Sequence, residues 1–211
     1  DARVMILTGA GPEAFCAGAD LKAIETFEPR IGAEGGPLGF TREIAPKPAI
    51  AAIEGWCLAG GLELALWCDV RIAAASARFG FTERRFGVPL IDGGTQRLPR
   101  IVGLGRAMDL VLTGRVIDVG EARGIGLVNE EVADGSALER ALELGEQVAG
   151  FPWPTLLADR ESTLEAQGLP LPEGMAREAA RGTGTVLEGV AGAARFAGGE
   201  GRHGSGVEGT S

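Results

Sequence analysis

The sequence has no tyrosine and a single histidine, His203, which lies in a glycine-rich stretch near its end. Imidazole-based chemistry is thereby almost entirely excluded: no Ser-His-Asp or Cys-His arrangement and no His-ligated metal centre is to be expected. Cysteine is scarce too. Cys16, Cys57 and Cys68 have neither paired-bridge nor metal-ligand spacing, and read as reduced thiols of a cytosolic protein. No apolar run approaches the ~18 residues of a membrane span, and the opening residues do not read as a secretory signal. Positive charge is outnumbered, with 20 Lys and Arg against 29 Asp and Glu, a formal net charge of −9. That balance argues against nucleic acid or an anionic membrane surface as the main partner, yet leaves room for an anionic small molecule held by local donors. No internal repeat is evident, and Gly9-x-Gly11 does not continue into the G-x-G-x-x-G of a dinucleotide site. Carboxylates, lysines, cysteines and backbone N–H groups remain for acid–base work.

Glycine is in excess. It supplies 35 of 211 residues, about 17% against a usual value of roughly 7%, partly in turns and partly in a tail that reads as disordered from residue 198 to 211. The length suits one domain with a small appendage. Val4 to Thr8 reads as a strand that starts almost at residue 1, and this predicts that the chain lacks an N-terminal lead-in. Further strands are expected at 49–53, 70–74, 78–81 and 127–132. Helices are expected up to Ile44, from Leu62, at 93–99 with Pro99 as its stop, at 106–112 and at 136–148. Two longer ones are expected at 155–167 and 172–196. Asp118 with Glu121 has the form of a capping box. Strands and helices mix to about residue 132 and helices alone follow, the pattern of an α/β core (1–132) with a helical appendage (133–197).

The stretch Pro48 to Asp69 organises the chain. A buried strand, Ala49 to Ile53, is followed by a turn ending at Gly60-Gly61 and by an almost wholly apolar helix that carries Glu63 near its start. The first N–H groups of such a helix lack intrahelical partners and, with the positive end of its dipole, suit a developing negative charge. Glu63 itself has two readings: a proton carrier beside those donors, or a carboxylate that merely complements the dipole. Glu83 could act in the same site or pair with Arg84 or Arg85. Asp92 and Asp20 could be helix N-caps, and Lys22 could be simply solvated.

Four segments carry a resemblance. Phe15-Cys-Ala-Gly-Ala-Asp-Leu-Lys22, Leu58-Ala-Gly-Gly-Leu-Glu-Leu64, Arg78-Phe-Gly-Phe-Thr-Glu83 and Gly93-Gly-Thr-Gln-Arg-Leu98 resemble, in order and spacing, the signature segments of the enoyl-CoA hydratase/isomerase (crotonase) superfamily. The likeness extends from residue 1 to about 200 and is nearest to the hydratases. It implies an α/β fold: a crotonase-like spiral of ββα units with a C-terminal helical trimerisation region, of which the N-terminal hairpin and first helix are missing here. It implies an acyl-CoA thioester as partner, a homotrimer or dimer of trimers, and no metal or separate cofactor, coenzyme A being part of the substrate. The thioester carbonyl would lie between the backbone N–H groups of Ala19 and Gly60. Ala17, Ala19, Asp20, Leu21 and Gly60 would line the CoA path, and Glu63 and Glu83 would face the enoyl double bond.

The chemistry suits these residues. Adding water to a 2-enoyl thioester builds enolate character on the carbonyl oxygen, while one carboxyl group takes a proton from water and another delivers one to Cα. One departure concerns Asp92, which stands where hydratases of the family carry small uncharged residues. An added acid there resembles relatives that move double bonds, so isomerisation is the alternative activity; a non-catalytic acyl-CoA binder is a third.

Overall fold

The computed structural model describes residues 2–199. Its first six strands alternate between two sheets along the sequence. β1 (Met5–Thr8), β3 (Ala49–Ile53), β5 (Val70–Ala74) and β8 (Glu130–Val132) form one parallel sheet in the order β1-β3-β5-β8. β2 (Ala14–Cys16), β4 (Trp56–Leu58), β6 (Arg78–Gly80) and β7 (Ile117–Asp118) form the second in the order β2-β4-β6-β7, with only the β6–β7 pair antiparallel. α1 (Gly60–Trp67) follows β4; α2 (Gly94–Val102) and α3 (Leu104–Thr113) follow β6; α4 (Val119–Gly124) joins β7 to β8. The circuits β3-β4-α1 and β5-β6-α2 each add a strand to both sheets before an α-helix follows, as in the expected spiral of ββα units, whereas in the last circuit α4 separates β7 from β8.

All five residues of β3 are buried, as befits a strand covered on both faces. The alternation of side chains divides them. Ala49, Ala51 and Ile53 join the main core with Leu62, Leu66, Phe79 and Phe81, while Ile50 and Ala52 join Ile72, Ala137 and Ala141. The last two belong to α5 (Ala137–Gly150), whose buried Ala137, Ala141 and Gly145 recur every four residues and form a small-residue stripe. Glu54 fixes the start of that helix by accepting from the N–H groups of Gly135 and Ala137, both at 3.1 Å.

The expected boundary after residue 132 is displaced, because α5 packs on the first sheet. One compact unit runs to Val148 and a second begins at Ala149. The second holds α6 (Trp153–Glu165), α7 (Leu171–Gly184) and α8 (Val186–Ala197). Arg181 of α7 binds Glu161 and Glu165 of α6. The single helix expected over 172–196 is broken at Thr185, where Gly182, Gly184 and β-branched neighbours lower helical propensity. From residue 200 on, the expected disordered tail lies outside the described residues.

Other expectations are corrected too. β2 and β4, of three residues each, are too short to show a period. The helix expected to end at Ile44 does not form; residues 38–43 are turns and bends, held by contacts from elsewhere in the chain. α2 carries Pro99 within it and continues to Val102, since Leu98 and Val102 are both buried. Asp118 does accept from the Glu121 N–H, at 2.9 Å, but the Glu121 carboxylate turns to Arg115, so only half a capping box is present.

Two contacts fix α1. Its N-terminal end abuts β2 so closely that a Cβ on Gly61 would lie 1.9 Å from the Cys16 carbonyl oxygen. At the other end Arg71, 4% exposed, donates to the carbonyls of Cys68 (2.8 Å) and Ala65 (3.5 Å), and also to that of Leu127 (2.6 Å). A buried cation there complements the helix dipole. Gly61→Ala should therefore cost about 2 kcal/mol or more in urea unfolding, whereas Gly105→Ala, whose added Cβ meets open space in α3, should gain up to about 1 kcal/mol. Equal midpoints for the two variants would contradict this account of how α1 is seated.

Candidate active site

The first turn of α1 opens into a cavity of about 520 Å³, formed within the first unit by the 17–21 segment, the 58–63 segment, the 82–92 segment and Leu38. Ala17, Ala19, Asp20, Leu21, Gly60, Glu63 and Glu83 all line it, so the seven residues that the resemblance assigns to the site are brought to one place; Lys22 is not among its lining residues. Asp92 lines it as well. The side chain of Asp20 also accepts from the Lys22 N–H at 2.9 Å and caps the short 3-10 helix at Leu21–Thr26, so its N-cap reading holds as well.

Backbone geometry prepares the donors. Ala59, the N-cap of α1, has φ 52° and ψ −128°; it is the one non-glycine residue with positive φ among the described residues. Such a conformation costs about 1–3 kcal/mol and persists only where its surroundings enforce it. Ala59 N–H bonds to Gly80 O at 2.9 Å, and its carbonyl accepts from Leu62 at 2.9 Å and Glu63 at 3.2 Å. The helical ladder begins with those two amides, which leaves the N–H of Gly60 outside it. Gly18 lies directly against this turn: a Cβ placed on it would sit 3.0 Å from Gly60 N. The segment carrying Ala19 is thus brought beside Gly60.

Three carboxyl groups, all nearly buried, face this region. Glu63 is 3% exposed, and its Oε1 accepts from the N–H of Gly94 at 2.7 Å and of Asp92 at 3.0 Å. It therefore receives the start of α2, and is no mere complement to its own helix. Desolvation pushes its pKa up to about 7; the Gly94 N–H opposes this, while the charges of Asp92 and Glu83 add to it. Glu83 is 6% exposed and neither carboxylate oxygen has a hydrogen-bond partner. Burial raises its pKa, against some opposition from Arg84. The expected alternative of an ion pair is not realised, since Arg84 donates to Val111 O (3.3 Å) and Arg85 to Gly114 O (3.0 Å). Asp92 is no N-cap either. Gly93 takes that position, and Asp92 Oδ1 accepts from the Thr41 hydroxyl and from Leu38 N–H at 3.2 Å.

Cysteine contributes no nucleophile from the core: burial raises the thiol pKa of Cys57, and pushes that of Cys68 up to about 12. Among the described residues, no group of three or more His, Cys, Asp or Glu side chains could hold a metal ion, and no helix is long and apolar enough to cross a membrane. Sequence reasoning overlooked Leu38, Thr41 and Arg97. Only Arg97, inside the Gly93–Leu98 segment, lay in a motif that could have announced it.

The sequence profile of the family described as enoyl-CoA hydratase/isomerase matches residues 1–179. The chain belongs to the enoyl-CoA hydratase/isomerase family. It is 43% identical over 148 residues to a short-chain-enoyl-CoA hydratase of Clostridium acetobutylicum, covering 68% of this chain and 57% of that one. To a crotonyl-CoA hydratase of Syntrophomonas wolfei it is 42% identical over 149 residues, covering 69% and 57%. The crystal structure of an enoyl-CoA hydratase from Bacillus anthracis superposes with a TM-score of 0.83 at 38% identity, covering 92% of this chain and 79% of the other. The chain spans about half to two thirds of the length of the curated relatives it matches.

Electrostatics at Glu63 have a consequence for stability. Its folded-state pKa of about 7 lies above the ordinary 4.5, so the folded chain retains a proton that the unfolded chain releases. The associated stability is complete below about pH 4.5 and is lost as pH rises through about 7. Glu63→Gln, neutral throughout, should stabilise the fold relative to the parent by up to roughly 3 kcal/mol at pH 8 and by much less at pH 5. Thermal unfolding at both pH values tests this, and a pH-independent difference would refute it.

Proposed function

We propose that the site adds water to a 2-trans-enoyl-CoA thioester, giving the 3-hydroxyacyl-CoA by syn acid–base catalysis. The observation that carries this reading is the pair Glu63 and Glu83. They face one cavity from different elements, one carboxylate held by two backbone N–H groups and the other with no donor at all. The N–H groups of Ala19 and Gly60 form the oxyanion hole, where enolate charge develops on the thioester oxygen. Glu63, whose Oε1 accepts from the backbone N–H groups of Gly94 and Asp92, takes a proton from water, and the water oxygen bonds to the β-carbon. Glu83, whose pKa burial raises and whose carboxyl oxygens have no hydrogen-bond partner, delivers a proton to the α-carbon. The two carboxyls then exchange their proton through the next water, with coupled titrations. Ala17, Asp20 and Leu21 hold the CoA moiety. The reaction needs no metal and no cofactor besides the coenzyme A of the substrate itself.

The alternative of isomerisation through Asp92 loses support, because its Oδ1 is already engaged by Thr41 and Leu38. The unpaired cysteines favour a reducing compartment such as the cytosol. The exposed apolar side chains Leu187, Val190 and Phe196 of α8 favour assembly as a homotrimer or dimer of trimers. A monomeric mass by light scattering of the full-length protein would count against that assembly.

With crotonyl-CoA, the full-length protein should abolish the enoyl absorbance; no loss of absorbance would remove the hydratase reading. Glu63→Gln and Glu83→Gln should each lower kcat by about 10²-fold or more. The pH profile of kcat/KM should carry an acid limb near pH 7, set by Glu63 under the influence of Asp92, Glu83 and Arg97. Glu63→Gln should abolish that limb; a limb that persisted would assign it to another group.

A further inference from the structure

We infer that Asp92 is a positioning residue which, with Thr41 and Arg97, clamps the Gly36–Thr41 segment in place as a wall of the acyl pocket and so governs which acyl chains are accepted. The inference rests on the reading of the cavity as an enoyl-thioester site.

The clamp is closed on several sides. Asp92 is 3% exposed and Thr41 is fully buried. Asp92 Oδ1 accepts from the Thr41 hydroxyl and from Leu38 N–H. Arg97 bridges the same two residues through their main chains, donating to Asp92 O at 2.9 Å and to Thr41 O at 2.5 Å. Gly36 is pressed against the junction: a Cβ on it would meet Asp92 Oδ1 at 2.8 Å and Thr41 Oγ1 at 3.0 Å. Residues 38–44 have no helix or strand of their own. Their order must therefore be imposed from outside, and a buried charge-assisted acceptor with two donors is suited to that.

What the clamp holds is Leu38. This side chain lines the cavity, and its Cδ1 would be 3.9 Å from a Cβ on Gly60, one of the proposed oxyanion donors. An acyl chain whose carbonyl is held at Gly60 therefore has Leu38 as an immediate neighbour. The main-chain N–H of Asp92 meanwhile donates to Glu63. The residue thus ties the pocket wall by its side chain and the proton carrier by its backbone, and only the former is removed by substitution.

Steady-state kinetics of the full-length protein with crotonyl-, octenoyl- and dodecenoyl-CoA test this in the parent, Asp92→Ala, Asp92→Asn and Thr41→Val. Asp92→Ala and Thr41→Val should alter the ratio of kcat/KM between the longest and shortest substrates by about fivefold or more, chiefly through KM. Asp92→Asn, which keeps an accepting oxygen, should retain the parent ratio. The inference is overturned if the ratio holds in every variant that folds, whatever happens to kcat, or if Asp92→Asn shifts it as far as Asp92→Ala does. Thr41→Val is nearly isosteric and carries the test if Asp92→Ala does not fold. If the parent turns over none of the three esters, the hydratase reading fails by itself. Dissociation constants for the matching saturated acyl-CoA esters then decide the clamp: a shifted chain-length ratio in Thr41→Val supports it, and an unchanged ratio overturns it.

Discussion

The approach of α1 to the end of β2 is the contact on which the rest depends. With hydrogen as its only side chain, Gly61 lets the helix start against the Cys16 carbonyl, and the 17–21 segment is carried past the first turn of α1 as a result. The placement of both proposed oxyanion donors, and of the 17–21 segment proposed to line the CoA path, follows from that single steric allowance. The strain at Ala59 has the same origin, because the chain must turn sharply out of β4 to begin a helix there. Arg71 secures the far end by binding carbonyls of the last turn. A helix of eight residues is thus fixed at both ends, with its positive pole facing the cavity.

Polarity in the site is distributed unevenly, so that two chemically identical side chains sit in different environments. Glu63 has two backbone donors and a pKa near 7; Glu83 has none and is raised by burial. A cavity that leaves one buried carboxyl unsatisfied gives up stability, and groups so perturbed cluster at functional sites. That exchange is tolerable because the two sheets, α1 and α5 supply a core of small, close-packed residues around β3.

Much of this was legible in the sequence, for reasons that can be stated. β3 is a run of buried apolar residues bounded by Pro48 and Glu54, and α1 follows a glycine pair, so both are marked by composition alone. Glu63 stands out as a charge among apolar neighbours. The three-residue strands β2 and β4 left no periodic trace and emerged only through their pairing. Asp92 preceded two glycines as an N-cap would, yet its partners, Leu38 and Thr41, are 54 and 51 residues away. No local pattern announces bonds of that range. The pairing once open to Glu83 with Arg84 or Arg85 was settled by carbonyls on α3 and at its end, 27 and 29 residues away from those arginines.

The alternation of strands between two sheets bears on how the chain acquires its structure. β1 pairs with β3 across some forty residues, and β5 pairs with β8, which ends only at Val132. Almost every sheet contact is therefore non-local and parallel, a topology that folds slowly because loop closure precedes its reward. During synthesis the first sheet stays open at the edge of β5 until β8 and α5 have left the ribosome. Until then, the apolar face of Ile50, Ala52 and Ile72 lies uncovered. The segments that build the cavity are all made earlier than the elements that seal the sheet behind them, so the site's architecture becomes durable only when the last strand is in place.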